Sequence, residues 1–193
     1  MKRQSVKASL IVAAMLLLPQ VILAEEYVID TKGSHAFIQF KIPHLGYSWL
    51  LGQFNEFQGT FSYDEKNPSA STVKVTIETA SIDSNHAKRD KHLRGDDFLE
   101  VKKYPRATFV STAFEPKGDK QAVVKGTFTL HGVTRPIEIA VTQVGAGNDP
   151  WGGFRRGFEG TTTLALKDYN INFDLGPASK EVEIYLSIEG IRQ

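Results

Sequence analysis

The sequence predicts an all-β fold, an antiparallel barrel or sandwich of about eight strands, and three observations carry that prediction. Apolar and polar residues alternate with period two in short runs. Glycine, proline and asparagine separate those runs at hairpin spacing. Convincing helical signals are confined to Asn85–Arg94 and to a short turn near Tyr47–Leu51.

The elements follow in order. Lys2, Arg3 and Lys7 precede the apolar stretch Ala8–Leu18, and Ile22-Leu23-Ala24 ends on a small residue before Glu25. That is the pattern of a secretory signal peptide cleaved after about Ala24, leaving 25–193 as one domain. The uncharged stretch Ala8–Ala24 is 17 residues long and contains Pro19, which is short for a membrane span. Ala36, Ile38, Phe40 and Ile42 then alternate with Phe37, Gln39 and Lys41. The same pattern returns at Val73, Val75 and Ile77, at Val124, Gly126, Phe128 and Leu130, and at Ile137, Ile139 and Val141. Phe158, Thr162 and Leu164 make another run, and Val182, Ile184, Leu186 and Ile188 the last. Each is a strand with one buried face. Asn67-Pro68, Lys117-Gly118-Asp119 and His131-Gly132 supply turns, and Pro105 opens a strand because it cannot donate to a ladder.

Composition narrows the function classes. Cleavage of the leader removes three of 23 basic residues and none of 22 acidic ones, leaving a net charge of −2 with histidines neutral. That balance gives no support to a nucleic-acid partner. With no cysteine, disulfides and thiolate zinc sites are excluded. An apolar barrel interior with no Tyr/Trp girdles at the run ends favours a water-soluble barrel over an outer-membrane one. The stretch Gly145–Gly153, GAGNDPWGG, lacks the Gly-Lys-Ser/Thr ending and the following helix of a phosphate loop. It reads as a long flexible connection at a barrel end, with Trp151 placed to close a pore.

Four motifs in order carry a resemblance. They are SHAFIQFKIPHLGYSWLLGQFNEFQGTF over Ser34–Phe61, NHAKRDKHLRGDDFLEVKKYPRATF over Asn85–Phe109, GTFTLHGVTRPI over Gly126–Ile137, and LKDYNI ending at Ile171. Together they resemble the YceI-like family of periplasmic lipid-binding proteins across essentially the whole mature chain. The sequence departs from the family at Lys167 and Tyr169-Asn170, where many relatives have Arg and Phe-Gly. The resemblance implies a lipocalin-like antiparallel barrel whose apolar pore holds a polyisoprenoid or similar amphipathic chain.

The twelve phenylalanines, none before residue 37, either fill a solid core or line a cavity. The resemblance favours a lining, and the candidate pore residues are Phe40, Ile42, His44, Phe54, Phe57, Phe61, Phe98, Phe109, Phe128 and Phe158. His44, at the end of its run, is placed either to meet a lipid headgroup or to bond a nearby backbone group.

SNHAKRDKHLRGDD, residues 84–97, holds two of the five histidines. With Asn85 as cap and Gly95 as terminator, Asp90 and Arg94 form an i,i+4 pair. His86 and His92 fall about 240° apart on such a helix and do not share one metal. The stretch reads as a charged cover over one barrel end, anchored by Leu93, Phe98, Leu99 and Val101. The resulting expectation is a periplasmic, non-enzymatic lipid carrier, monomeric or homodimeric. It would bind no cofactor beyond the lipid and contact membrane surfaces transiently. The alternatives are a metal-dependent hydrolase using His86, Asp90 and His92, or a small outer-membrane barrel.

Overall fold

The computed structural model describes residues 24–193, so all but the last residue of the predicted signal peptide lies outside the described residues. The strands are β1 (Glu25–Ile29), β2 (Phe37–His44), β3 (Ser48–Phe54), β4 (Phe57–Tyr63), β5 (Thr72–Glu78) and β6 (Ile82–Asp83). The one α-helix among the described residues, α1 (Ala87–Leu93), precedes β7 (Arg106–Gly118), β8 (Gln121–Leu130), β9 (Val133–Asn148), β10 (Phe154–Ala165) and β11 (Glu181–Arg192). All pairings are antiparallel, and β11 closes the sheet by pairing with β10 on one side and with both β1 and β2 on the other. The eleven segments make an eight-position barrel because β1 and β2 share one edge of β11, β3 and β4 lie beside them, and β5 and β6 beside those.

Alternation sets the inside and the outside. Val73, Val75 and Ile77 face inward while Lys74 is exposed; Ile184 and Leu186 face inward while Glu183 and Tyr185 are exposed. An apolar interior with charges outside is the reverse of an outer-membrane barrel. Two inward glycines make room for aromatic rings. A Cβ on Gly126 would lie 2.5 Å from the Phe109 ring, and one on Gly190 would strike Phe61. The β8–β9 turn has positive φ at both His131 (50°) and Gly132 (73°), the primed geometry that matches strand twist.

The two ends differ. At one end lie the β4–β5, β7–β8 and β9–β10 connections. At the other lie the β2–β3 turn, the β8–β9 turn, α1 and the long segment between β10 and β11. This second end, the base, is filled by a core cluster that includes Phe40, Phe98, Leu99, Leu130, Tyr169 and Ile171.

Several local expectations are corrected. Tyr47–Leu51 is not helical: Tyr47 turns the chain and β3 begins at Ser48, paired with β2. The cap of α1 is His86, whose Nδ1 accepts from Arg89 N at 3.2 Å, while Asn85 sits in a left-handed conformation. Asp90 does not pair with Arg94 across one helical turn. It is buried and accepts from the Ser84 amide and hydroxyl, and Arg94 donates to the carbonyls of Ala80 and Ile82. The charged stretch therefore clasps the chain at residues 80–84 to the base. GAGNDPWGG is not a long connection either, since β9 runs through Asn148 and only 149–153 form the turn.

Candidate functional site

The barrel encloses a cavity of about 150 Å³. Its wall is built from inward positions of every long strand, and six of the phenylalanines contribute: Phe54, Phe61, Phe109, Phe114, Phe128 and Phe158. Buried apolar residues gather around this space in three groups, centred on Ile38/Phe40/Tyr169, on Tyr27/Phe61 and on Phe109/Val124/Ile139, and half-buried Val73, Val75, Phe128, Ile137 and Leu186, which line the cavity, join them. Phe128, Phe158, Leu186 and Ile188 are only half-buried although they point inward, because their free surface faces the cavity.

The structure divides the predicted site residues by height. Phe54, Phe61, Phe109, Phe128 and Phe158 are on the cavity wall. Phe40 and Phe98 are buried in the base core, with Ile42 and Phe57 packed against it. Phe98 lies 5.0 Å from the rings of both His92 and Phe173, so it fastens α1 to the segment before β11. His44 is exposed at the end of β2, where its carbonyl accepts from Tyr47 N. His86, Asp90 and His92 do not converge. His86 caps α1, Asp90 faces Ser84, and His92 Nε2 lies 2.8 Å from Asp97.

Among the described residues the one group of potential metal ligands is Asp30, His35 and Glu189. Arg155 already supplies a cation there: its Nη1 donates to Asp30 Oδ2 at 2.7 Å and to Glu189 Oε1 at 2.5 Å, and its Nε donates to Asp149. The bond from His35 is the largest effect on the Asp30 carboxyl. It outweighs burial and, with Arg155 and the Gly33 amide, lowers its pKa to about 2. This network fastens the β1–β2 break to β10 and β11 on the outside of the barrel.

Three further residues shape the barrel interior. Phe114 reaches the wall because a bulge between Ser111 and Ala113 shifts the register of β7. Tyr169, where the resemblance expects Phe, is buried with no partner for its hydroxyl among the described residues and its ring 5.8 Å from that of Phe128. Asn170 follows with φ 58°, a conformation natural to the family's glycine and one that asparagine tolerates best among other residues. Tyr169→Phe is therefore expected to raise stability by about 1 kcal/mol, since an unpartnered buried hydroxyl costs that order of free energy. Thermal unfolding checks this, and a clear loss of stability would show that the hydroxyl is bonded in solution. The third is Arg156, on the inward face of β10.

A YceI-like domain model matches residues 27–190. The chain belongs to the YceI-like family. Its sequence is 61% identical over 171 residues to a UPF0312 protein of Pseudomonas paraeruginosa, covering 89% of each chain. The crystal structure of the Campylobacter jejuni YceI protein is 27% identical, with a TM-score of 0.71, covering 79% of this chain and 91% of that one. A polyisoprenoid binding domain from Saccharophagus degradans, 15% identical with a TM-score of 0.62, covers 86% of this chain and 98% of its own and shares the fold. The lipocalin-like barrel implied by the YceI-like motifs is the one the chain adopts.

Proposed function

We propose that the protein is a periplasmic carrier that holds the apolar chain of a polyisoprenoid or similar amphipathic lipid inside the barrel, by non-covalent binding. The observation that carries this reading is the aromatic-walled, almost wholly apolar cavity inside the barrel. Burying an isoprenoid tail against such a wall is worth roughly 25 cal/mol per Å² before the costs of association. The Saccharophagus degradans domain, which binds a polyisoprenoid by its description, supports the choice of ligand through the shared barrel. The signal-peptide pattern at the N-terminus supports the compartment. No helix among the described residues is long and apolar enough to cross a membrane.

Size adds a mechanical requirement. An apolar cavity of about this volume takes a benzene-sized body. A chain of several isoprene units therefore either turns the half-buried rings of Phe128 and Phe158 aside or leaves part of its length in the mouth. Transient contact with a membrane surface falls to the β9–β10 turn, where Trp151 is 76% exposed and Val144 lies nearby on β9.

The test is chemical. Mature protein from the periplasmic fraction is denatured and the extract analysed by mass spectrometry. A lipid in near-stoichiometric amount supports the carrier. Lipid-free preparations that also refuse isoprenoids in vitro overturn it.

A further inference from the structure

Arg156 is the largest fully buried side chain, 1% exposed, inside a barrel whose wall is otherwise almost wholly apolar. A buried guanidinium needs partners for its charge and for its five N–H groups. Its Nε donates to the Tyr27 hydroxyl at 3.2 Å and its Nη2 to Glu65 Oε1 at 2.6 Å, while Nη1 has no partner among the described residues. Tyr27 carries no charge to offer, and its hydroxyl donates a hydrogen bond to Glu25, which is itself tied to Arg192. The one carboxylate on Arg156 thus belongs to Glu65, a side chain 69% exposed on the β4–β5 connection. This is an easily displaced partner for a fixed, buried cation.

The cavity reaches towards this same end. Tyr63 joins the two: its ring lies 4.3 Å from the guanidinium carbon and also lines the cavity. Beside it, Ser62, Ser71, Thr72 and Ser111 contribute to the wall, and the Ser71 hydroxyl is buried without a partner. Away from this end Thr162 is the only hydroxyl-bearing residue on the wall among the described residues. Hydroxyl-bearing residues thus gather at the end nearest Arg156, although the surface they leave in the cavity is almost wholly apolar.

We propose that Arg156 recognises an oxyanion, phosphate or carboxylate, at the head of the lipid whose tail lies along the Phe128 wall, with Glu65 as the internal anion it displaces. The proposal rests on the carrier reading above. A planar guanidinium whose Nη1 lacks a partner and whose Nη2 holds only Glu65 suits an oxyanion, which accepts two parallel bonds once Glu65 is displaced. An alcohol head offers no charge to replace that of Glu65.

The experiment compares lipids with one tail and two heads. Mature full-length protein is titrated, by native mass spectrometry, with farnesyl phosphate and farnesol, and separately with palmitate and hexadecanol. The expected result is about tenfold tighter binding of the anionic member, the scale of one charge-assisted contact. Arg156→Gln is expected to abolish the preference, the two heads then binding alike. Glu65→Gln, at an exposed position, is expected to raise the farnesyl phosphate to farnesol ratio several-fold. A preference that survives Arg156→Gln overturns the proposal, and so does wild-type protein that binds both heads equally. If Arg156→Gln does not fold, an unchanged ratio in Glu65→Gln overturns it alone. Inorganic phosphate is the control for source: binding as tight as farnesyl phosphate would assign Arg156 to a free anion and overturn the lipid head. Protein that takes neither alcohol nor anion removes the carrier reading itself, an outcome distinct from loss of head preference.

Discussion

Phe128→Trp is expected to leave the barrel folded and to cut lipid uptake about tenfold, a loss of about 1.4 kcal/mol in binding. Phe128 stands on β8 opposite Phe109 of β7, with its ring edge-on to Tyr169 at 5.8 Å. It is inward yet only half-buried, so the added ring of an indole extends into the cavity rather than into packed neighbours. Extra bulk in a tight core costs about 1–3 kcal/mol, and here much of that cost falls on the ligand instead of the fold. Lipid titration and thermal unfolding on the same preparation separate the two. Unchanged capacity with unchanged stability would mean that Phe128 is no part of the ligand's wall.

Asp30→Ala is expected to destabilise the protein by about 2 kcal/mol, the scale of its depressed pKa, since Arg155 keeps Asp149 and Glu189 as partners. Asp30 is 6% exposed and accepts from Gly33 N, His35 Nδ1 and Arg155 Nη1. It thereby holds the break between β1 and β2 against β10. Its carboxyl titrates at about 2 in the folded protein, below an ordinary aspartate near 3.8. The depressed value makes its contribution fully present above about pH 4 and progressively lost as the pH falls towards 2. Urea unfolding between pH 7 and pH 2.5 should show that acid loss in wild type and a flatter profile in Asp30→Ala. A variant as stable as wild type would place the strength of this junction elsewhere.

How much of this was legible depended on what period two can encode. The inward sets at 73/75/77, 124/126/128, 137/139/141 and 182/184/186/188 are the observed ones, because continuous antiparallel pairing preserves parity. Parity fails at Phe114, where a bulge inserts a residue. It is silent about height, which explains Phe40 and Phe98. A ring in the base core and a ring on the cavity wall are equally inward, and only strand register and the covering loops separate them. Arg156 shared a face with Phe154 and Phe158, so its inward position was encoded. A charge on a buried register simply reads as an exception until Tyr27, Tyr63 and Glu65 are seen around it. The caps of α1 were misplaced by one residue because Asn85 and His86 are both competent caps and the clasp on Ser84 decides between them.

One surface competes with the interior for apolar ligands. The β2–β3 hairpin exposes Leu45, Tyr47, Trp49 and Leu51 at the base end, with Lys41 Nζ 4.3 Å over the Trp49 ring. A photoreactive isoprenoid, cross-linked to the mature protein and mapped by peptide mass spectrometry, tells the two apart. Insertion into the barrel predicts adducts on inward residues of β5, β8 and β9, among them Val75, Phe128 and Ile137. Adducts confined to the hairpin at 45–51, with the inward residues unlabelled, would contradict the claim that the barrel interior is where the lipid is held.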